Sequence, residues 1–135
     1  MAIFMNETVT VTVNSVDLTD HITSVDFIEN ASEIETTAMG DANVTRIGGL
    51  KDGSVRISWH QDYASSEVYA TLNPLLGTTT TVVVKPTSAA VAATNPSKSV
   101  SALVSELPFI SGDVGSLSVF DTNWNFSGAV TTATS

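Results

Sequence analysis

Two histidines, His21 and His60, are the most versatile chemical groups in this 135-residue chain. A hydrolytic triad needs such an imidazole within hydrogen-bond reach of a Ser or Thr hydroxyl and oriented by a carboxylate. The hydroxyl residues here are spread along alternating stretches, and no nucleophile-elbow pattern surrounds any of them. His60 falls on the polar side of its run, and Asp20 and His21, as strand neighbours, would point to opposite faces. Both histidines therefore read as structural. With no cysteine in the chain, two histidines give no recognisable zinc spacing. Asp17 with Asp20, or Asp52 before Gly53, fails the alternating oxygen-ligand pattern of an EF-hand, and Asp52-Gly53 reads as a hairpin turn. Gly48-Gly49 precedes a strand rather than a helix, so it cannot cradle phosphate. Glu33 and Glu35 would share a strand face as a glycosidase pair does, yet no aromatic cluster lies nearby to hold a sugar. A charged solvent or interface face is the better reading. These residues predict no enzyme, no metal site and no cofactor.

The elements that would carry these groups are mainly strands. The chain holds 19 Thr, 17 Ser and 17 Val, and β-branched residues favour pleated surfaces over helices. Thr8–Val13 alternates, with Val9, Val11 and Val13 on one face. Ser54–His60 alternates with Val55, Ile57 and Trp59 inward, and Ser99–Ser105 with Val100, Ala102 and Val104. Ile22–Glu29 slips phase once, which suggests a bulge. Thr80–Lys85 contains the unbroken Val82–Val84, as expected of a strand covered on both faces. In Ser116–Phe126 the apolar set moves from Leu117 and Val119 to Phe120, Trp124 and Phe126, implying a bulge or a change of sheet. One short helix is expected after Asp62 or Ser65, with Val68, Leu72 and Leu75 or Leu76 recurring at helical spacing and Glu67 in its first turn; Pro74 should stop it near Leu72. The predicted core is Val55, Ile57, Trp59, Leu72, Val83, Trp124 and Phe126. Two stretches, Asn30–Gly53 and Pro86–Lys98, are long for hairpin turns, and connections of that length in a small domain usually have a use.

Charge and composition narrow the function classes. Fourteen acidic and five basic residues give a net charge of −9, which argues against a surface that grips nucleic acid. The acidity is concentrated before Val68, in the part carrying the first long connection. No apolar run exceeds the five residues of Ala89–Ala93, too short to cross a bilayer, and the N-terminal MAIFMNETVT lacks the basic region and long apolar region of a secretory signal. One domain is expected over residues 1–135, with no membrane partner.

Several blocks, taken in order, resemble a known family. They are Val16-Asp17-Leu18-Thr19-Asp20-His21-Ile22, Glu35-Thr36-Thr37-Ala38-Met39-Gly40-Asp41, Ile47-Gly48-Gly49-Leu50-Lys51-Asp52-Gly53-Ser54 with Trp59, Pro74-Leu75-Leu76-Gly77, and Val84-Lys85-Pro86-Thr87. Together they resemble the tail tube (major tail) proteins of long, non-contractile tailed bacteriophages, of the actinobacterial-phage type. The resemblance runs from about Val9 to Ala133. It implies an antiparallel β-sandwich or barrel of the phage tail tube type, with one short flanking helix and a long inter-subunit loop at about residues 30–53. It also implies a structural virion protein, made in the host cytoplasm, that assembles as hexameric rings stacked into a tube. Implied partners are further copies of the chain, tape measure protein and genomic DNA in the lumen without specific binding, and tail terminator and tail-tip proteins at the ends.

On this reading Glu33, Glu35, Asp41, Arg46, Lys51 and Asp52 are inter-subunit or inter-ring contacts, the two scarce cations pairing with acids of a neighbour. An acidic or neutral lumen would repel phosphate over about 8 Å at physiological salt, whereas a basic wall would hold DNA. Two alternatives remain. One is another virion structural protein: a head decoration protein, tail terminator or tail-tip component. The other is a carbohydrate-binding β-sandwich using Trp59, Trp124, Tyr63 and Tyr69. The positions of Trp59 beside Val55 and Ile57, and of Trp124 beside Phe126, instead place both tryptophans in the core.

Overall fold

Alternating Val, Ile and Trp residues build two sheets that face each other. A computed structural model describes residues 9–134. The N-terminal MAIFMNET, including Thr8 of the first alternating run, and Ser135 lie outside the described residues. One sheet contains β1 (Thr10–Val13), β2 (Val16–Asp17), β5 (Thr79–Lys85), β6 (Ser97–Leu103) and β8 (Thr131–Ala133), in the order β2-β1-β5-β6-β8. The other contains β3 (Ile22–Glu35), β4 (Arg46–His60) and β7 (Val119–Asn125), in the order β3-β4-β7. All pairings are antiparallel. The sheets remain open, so the architecture is a sandwich and not a barrel.

The inward faces follow the sequence pattern closely. Val11, Val13, Val82, Val100 and Ala102 come from the larger sheet, with Val104 just past its fourth strand, and Val55, Ile57, Trp59, Phe120 and Trp124 come from the smaller. Trp59 and Trp124 are fully buried with ring centroids 6.1 Å apart. Each indole N–H has an acceptor: Trp59 donates to Thr122 Oγ1 at 2.9 Å, and Trp124 to the Glu106 carbonyl at 3.1 Å. The indoles therefore bury their area without an orphaned donor.

Two core assignments change. Val83 is half-buried on the outward face, and its neighbour Val82 is the core residue. Three successive valines carry no phase of their own; the buried Thr80 sets it, a polar residue that the hydrophobic pattern passes over. Phe126 is also only half-buried. It packs at the sandwich margin against Phe27, with ring centroids 5.0 Å apart.

The irregular strands resolve in physical terms. The ladder between β3 and β4 shifts by one residue between Ile22 and Ser24, where Thr23 bulges. The end of β7 does reach the other sheet: Phe126 bridges Ala102, and the Ser127 N–H donates to the Ser101 carbonyl at 2.7 Å. Helix α1 (Val68–Leu72) buries Val68 and Leu72, and its N-cap position is Glu67, one residue before the first turn. Asn73 keeps helical dihedrals and a 3-10 turn continues to Leu75, so Pro74 tightens the helix end rather than forcing Asn73 out of the helical region. The second long connection is a compact turn. Asn95, nearly buried, donates from Nδ2 to the Ala89 and Ala90 carbonyls and accepts the Thr87 N–H on Oδ1.

Candidate assembly surface

The largest departure from the sequence reading lies in residues 30–53. In place of a loop, β3 and β4 run far past the sandwich as a two-stranded arm. Their ladder extends from Ile22 opposite Trp59 to Glu35 opposite Arg46. At about 3.4 Å per residue, the six arm residues 30–35 project roughly 20 Å, and residues 36–45 form the tip. Polar residues and glycines in this stretch hid the strand, because alternation is visible only where one face is buried.

Two glycines permit the arm's course. A Cβ on Gly53 would lie 2.2 Å from the Ile28 carbonyl oxygen and 2.6 Å from the Phe126 ring. Asp52-Gly53 is therefore not a turn; the glycine sits inside β4 and admits Phe126 at the arm's root. Gly49 lies where the ladder shifts a second time, between Ala31 and Glu33, and a Cβ there would meet Ser32 Oγ at 2.3 Å. A bulge at that point adds local twist, which keeps the arm from presenting a long flat edge.

The tip organises itself. The Asp41 carboxylate accepts the Ala38 N–H at 2.6 Å, and the Asp41 N–H donates to the Ala38 carbonyl at 3.1 Å. Gly40, with φ of +91°, supplies the left-handed position that this turn requires. Thr36 and Thr45 close the loop through a backbone bond of 2.8 Å and a hydroxyl pair of 2.8 Å.

The six residues expected at subunit contacts all lie on this arm, with different immediate partners. Arg46 forms an ion pair with Glu33 of its own hairpin, so this cation is already matched within the chain. Asp41 caps the tip turn. Glu35 sits opposite Arg46 in the ladder. Lys51 makes no ion pair among the described residues, and with Asp52 it lines a groove of about 650 Å³ that also touches Glu29, Ala31, Phe126 and Ala129. Glu29, at the arm's root, pairs with Lys98 at 2.9 Å across to the other sheet.

The charge-based search missed the arm's apolar side chains. Ile28, Ile34, Met39, Val44, Ile47 and Leu50 are all exposed, Met39 fully and Leu50 at 87%. A second apolar set, with Phe109, Ile110, Val114 and Leu117 exposed, lies between β6 and β7. A two-stranded hairpin has no core behind it and is marginal by itself in water. Apolar residues on both of its strands are left uncovered by the described residues.

Among the described residues no set of aromatic rings forms a coplanar sugar platform. Both tryptophans are fully buried. Tyr63, Tyr69 and Phe109 do form a cluster, but the rings are inclined to one another by 55–68°. Tyr63 also donates its hydroxyl to the Phe109 carbonyl at 2.6 Å. The tilt leaves no coplanar stacking face.

No protein-family model matches the chain, and no curated protein matches it. Solved structures do. A chain of the sheath–tube complex of the PVC extracellular contractile injection system, in its extended state, superimposes with a TM-score of 0.71 at 14% identity, covering 98% of this chain and 93% of that one. A chain of the anti-feeding prophage tube-terminating cap gives 0.72 at 17% identity, covering 100% and 93%. A chain from the tail of an empty GTA particle, refined with C6 symmetry, gives 0.60 at 11% identity, covering 84% and 82%. The fold is thus of the tail tube type, matched over nearly the whole chain.

Proposed function

We propose that this protein is a structural tail subunit that polymerises through its β3–β4 arm into a tube. The exposed apolar arm carries the proposal: five large hydrophobic side chains on the uncovered hairpin, with Ile28 at its root, fit burial against a second copy. A contact between different patches on neighbouring copies is heterologous, and such contacts close into rings or propagate as filaments. The fold matches chains from tube-bearing particles, which supports the same reading.

In finer terms, the subunits form hexameric rings stacked around a channel. A charge of −9 per copy is compatible with an acidic or neutral channel wall, past which DNA would move during ejection without being held by counterion release. The protein would be made in the host cytoplasm and reside in the virion tail, with tape measure protein in the lumen and terminator and tip proteins at the ends. The structural likeness includes contractile systems, so the non-contractile, actinobacterial-phage type rests on the sequence blocks alone.

Negative-stain microscopy of the concentrated protein tests the reading. Rings or tubes of uniform diameter are the expected result. A species that stays monomeric across protein concentration and salt overturns it. A tube terminator is the second reading, favoured by the likeness to a tube-terminating cap. Single rings that never stack, together with a few copies per particle rather than hundreds, would select it.

A further inference from the structure

His21 is bracketed by three carboxylates from two separate pieces of chain. Asp20 precedes it in the 3-10 turn Thr19–His21, and Asp62 and Glu67 come from the connection between β4 and α1. The imidazole Nε2 stands 2.9 Å from Asp62 Oδ2 and 3.4 Å from Glu67 Oε2. One donor atom from each of His21, Asp62 and Glu67 lies within 4.8 Å of the other two.

Those separations suit a small cation. Zinc takes imidazole nitrogen at about 2.0–2.1 Å and carboxylate oxygen at about 2.0–2.2 Å in a tetrahedron, which places neighbouring donors roughly 3.3–3.5 Å apart. The Glu67 distance falls within that span and the Asp62 distance, a hydrogen bond in this structure, is about 0.4 Å short of it, so side-chain shifts of a few tenths of an ångström would seat an ion.

The donors are also held in place. The Ala64 N–H donates to Asp62 Oδ1 at 2.9 Å, which turns Oδ2 toward His21. The backbone around Glu67 is fixed by its N–H to the Ala64 carbonyl and by the Tyr69 N–H to the Asp62 carbonyl. His21 Nδ1 is shielded from solvent without a hydrogen-bond partner, and the exposed Asp20 carboxylate stands 3.5 Å away. A carboxylate hydrogen-bonded to the other nitrogen of a ligating histidine fixes its tautomer and raises its basicity, and a shift of a few tenths of an ångström would bring Asp20 into that role.

The local charge is unbalanced. Among the described residues, no Lys or Arg forms an ion pair with Asp20, Asp62 or Glu67; Arg46 and Lys98 pair with Glu33 and Glu29 instead. A neutral imidazole thus leaves three carboxylates without a cation.

We propose that His21, Asp62 and Glu67 form a site for one divalent transition-metal ion, zinc by the chemistry of its donors, with Asp20 orienting the imidazole. A nitrogen donor with only two carboxylates favours zinc over magnesium or calcium, which seek six or more oxygens. Glu67 is 36% exposed and opens the fourth position to water. The ion would tie the turn before β3 to the segment leading into α1. The site needs no neighbouring copy, so it stands or falls separately from tube assembly.

Isothermal titration and thermal melting of the tag-free, chelator-stripped protein test it with zinc chloride and magnesium chloride. The expected result is one zinc per chain with a saturable rise in Tm, and no response to magnesium at equal concentration. His21→Ala should abolish zinc binding. Glu67→Gln should weaken it at least tenfold while moving the metal-free Tm by no more than about 2 °C. Zinc binding no tighter than magnesium, or unchanged zinc affinity in Glu67→Gln, overturns the proposal. If His21→Ala does not fold, Glu67→Gln decides alone, because the one ion pair its side chain makes among the described residues is with His21.

Discussion

The sandwich and the arm share two strands, and those strands behave oppositely along their length. In the inner half of β4, Val55, Ile57 and Trp59 are buried and alternate with Arg56 and Ser58. In the outer half, Ile47 and Leu50 are exposed at 56% and 87% on the same continuous strand. The ladder with β3 runs through both halves, and the inner half is also paired along its other edge with β7. Only the inner half has a second sheet to cover it. Backbone pairing thus extends the strand, while side-chain burial separates the folding part from the part left for a partner.

That contrast can be broken most severely from the core side. Trp124→Ala should cost about 3–5 kcal/mol, read as a lost or strongly shifted denaturant midpoint, and would remove monomer and polymer together. At the junction, Gly53→Ala drives a methyl into the Ile28 carbonyl and the Phe126 ring. It should cost about 1–3 kcal/mol and tilt the arm; an unchanged melting curve would show that the close approach is unimportant.

On the arm, stability and assembly should come apart. Ile47→Ser with Leu50→Ser should alter monomer stability by about 0.5 kcal/mol or less yet prevent tube formation by microscopy. Tubes of normal length from this variant would remove the apolar arm from the assembly surface. Arg46→Glu breaks a pair whose members are 52% and 68% exposed, so the monomer should lose at most about 1 kcal/mol. Impaired polymerisation with an intact fold is the expected outcome, from repulsion with Glu33 and with acids of a neighbouring copy.

The smallest effect is electrostatic and lies back on the sandwich. The Thr19 hydroxyl and N–H hold the Asp17 carboxyl below its usual range, with Lys85 adding a weaker pull. A depressed carboxyl contributes stability that is present above its ordinary value and is lost as pH falls through the lowered one. Asp17→Asn should therefore lower Tm slightly at neutral pH and converge with the parent protein in acid. A difference that grows on acidification would contradict the assignment.

The sandwich was legible because its strands are half-buried. Val11, Val13, Val55, Ile57, Trp59, Val100, Ala102 and Val104 occupy the faces that alternation assigns to them. Where alternation lapses, the reading lapses: Val82–Val84 has no phase, and residues 30–53 look like a loop because neither face is covered. Asp52-Gly53 carries the turn signal of a hairpin, yet the position serves an aromatic ring 73 residues further along, which no local rule can see. His21 was read as a strand residue pointing away from Asp20. A 3-10 turn instead brings it to both Asp20 and the distant Asp62.

By itself, the order of β-branched, aromatic and polar residues determined a mainly-β chain with half-buried strands, a short helix after β4, and a net negative charge; the two-sheet sandwich was expected only through the family resemblance. These are local or compositional quantities, fixed by which side chains avoid water and by the sign of the charges. Only the tertiary structure decided that the first long connection is a projecting arm, that Arg46 is matched by Glu33, and that His21 meets Asp62 and Glu67. Each depends on segments far apart in the chain meeting in space, and their register is set by bulges and packing across the whole fold.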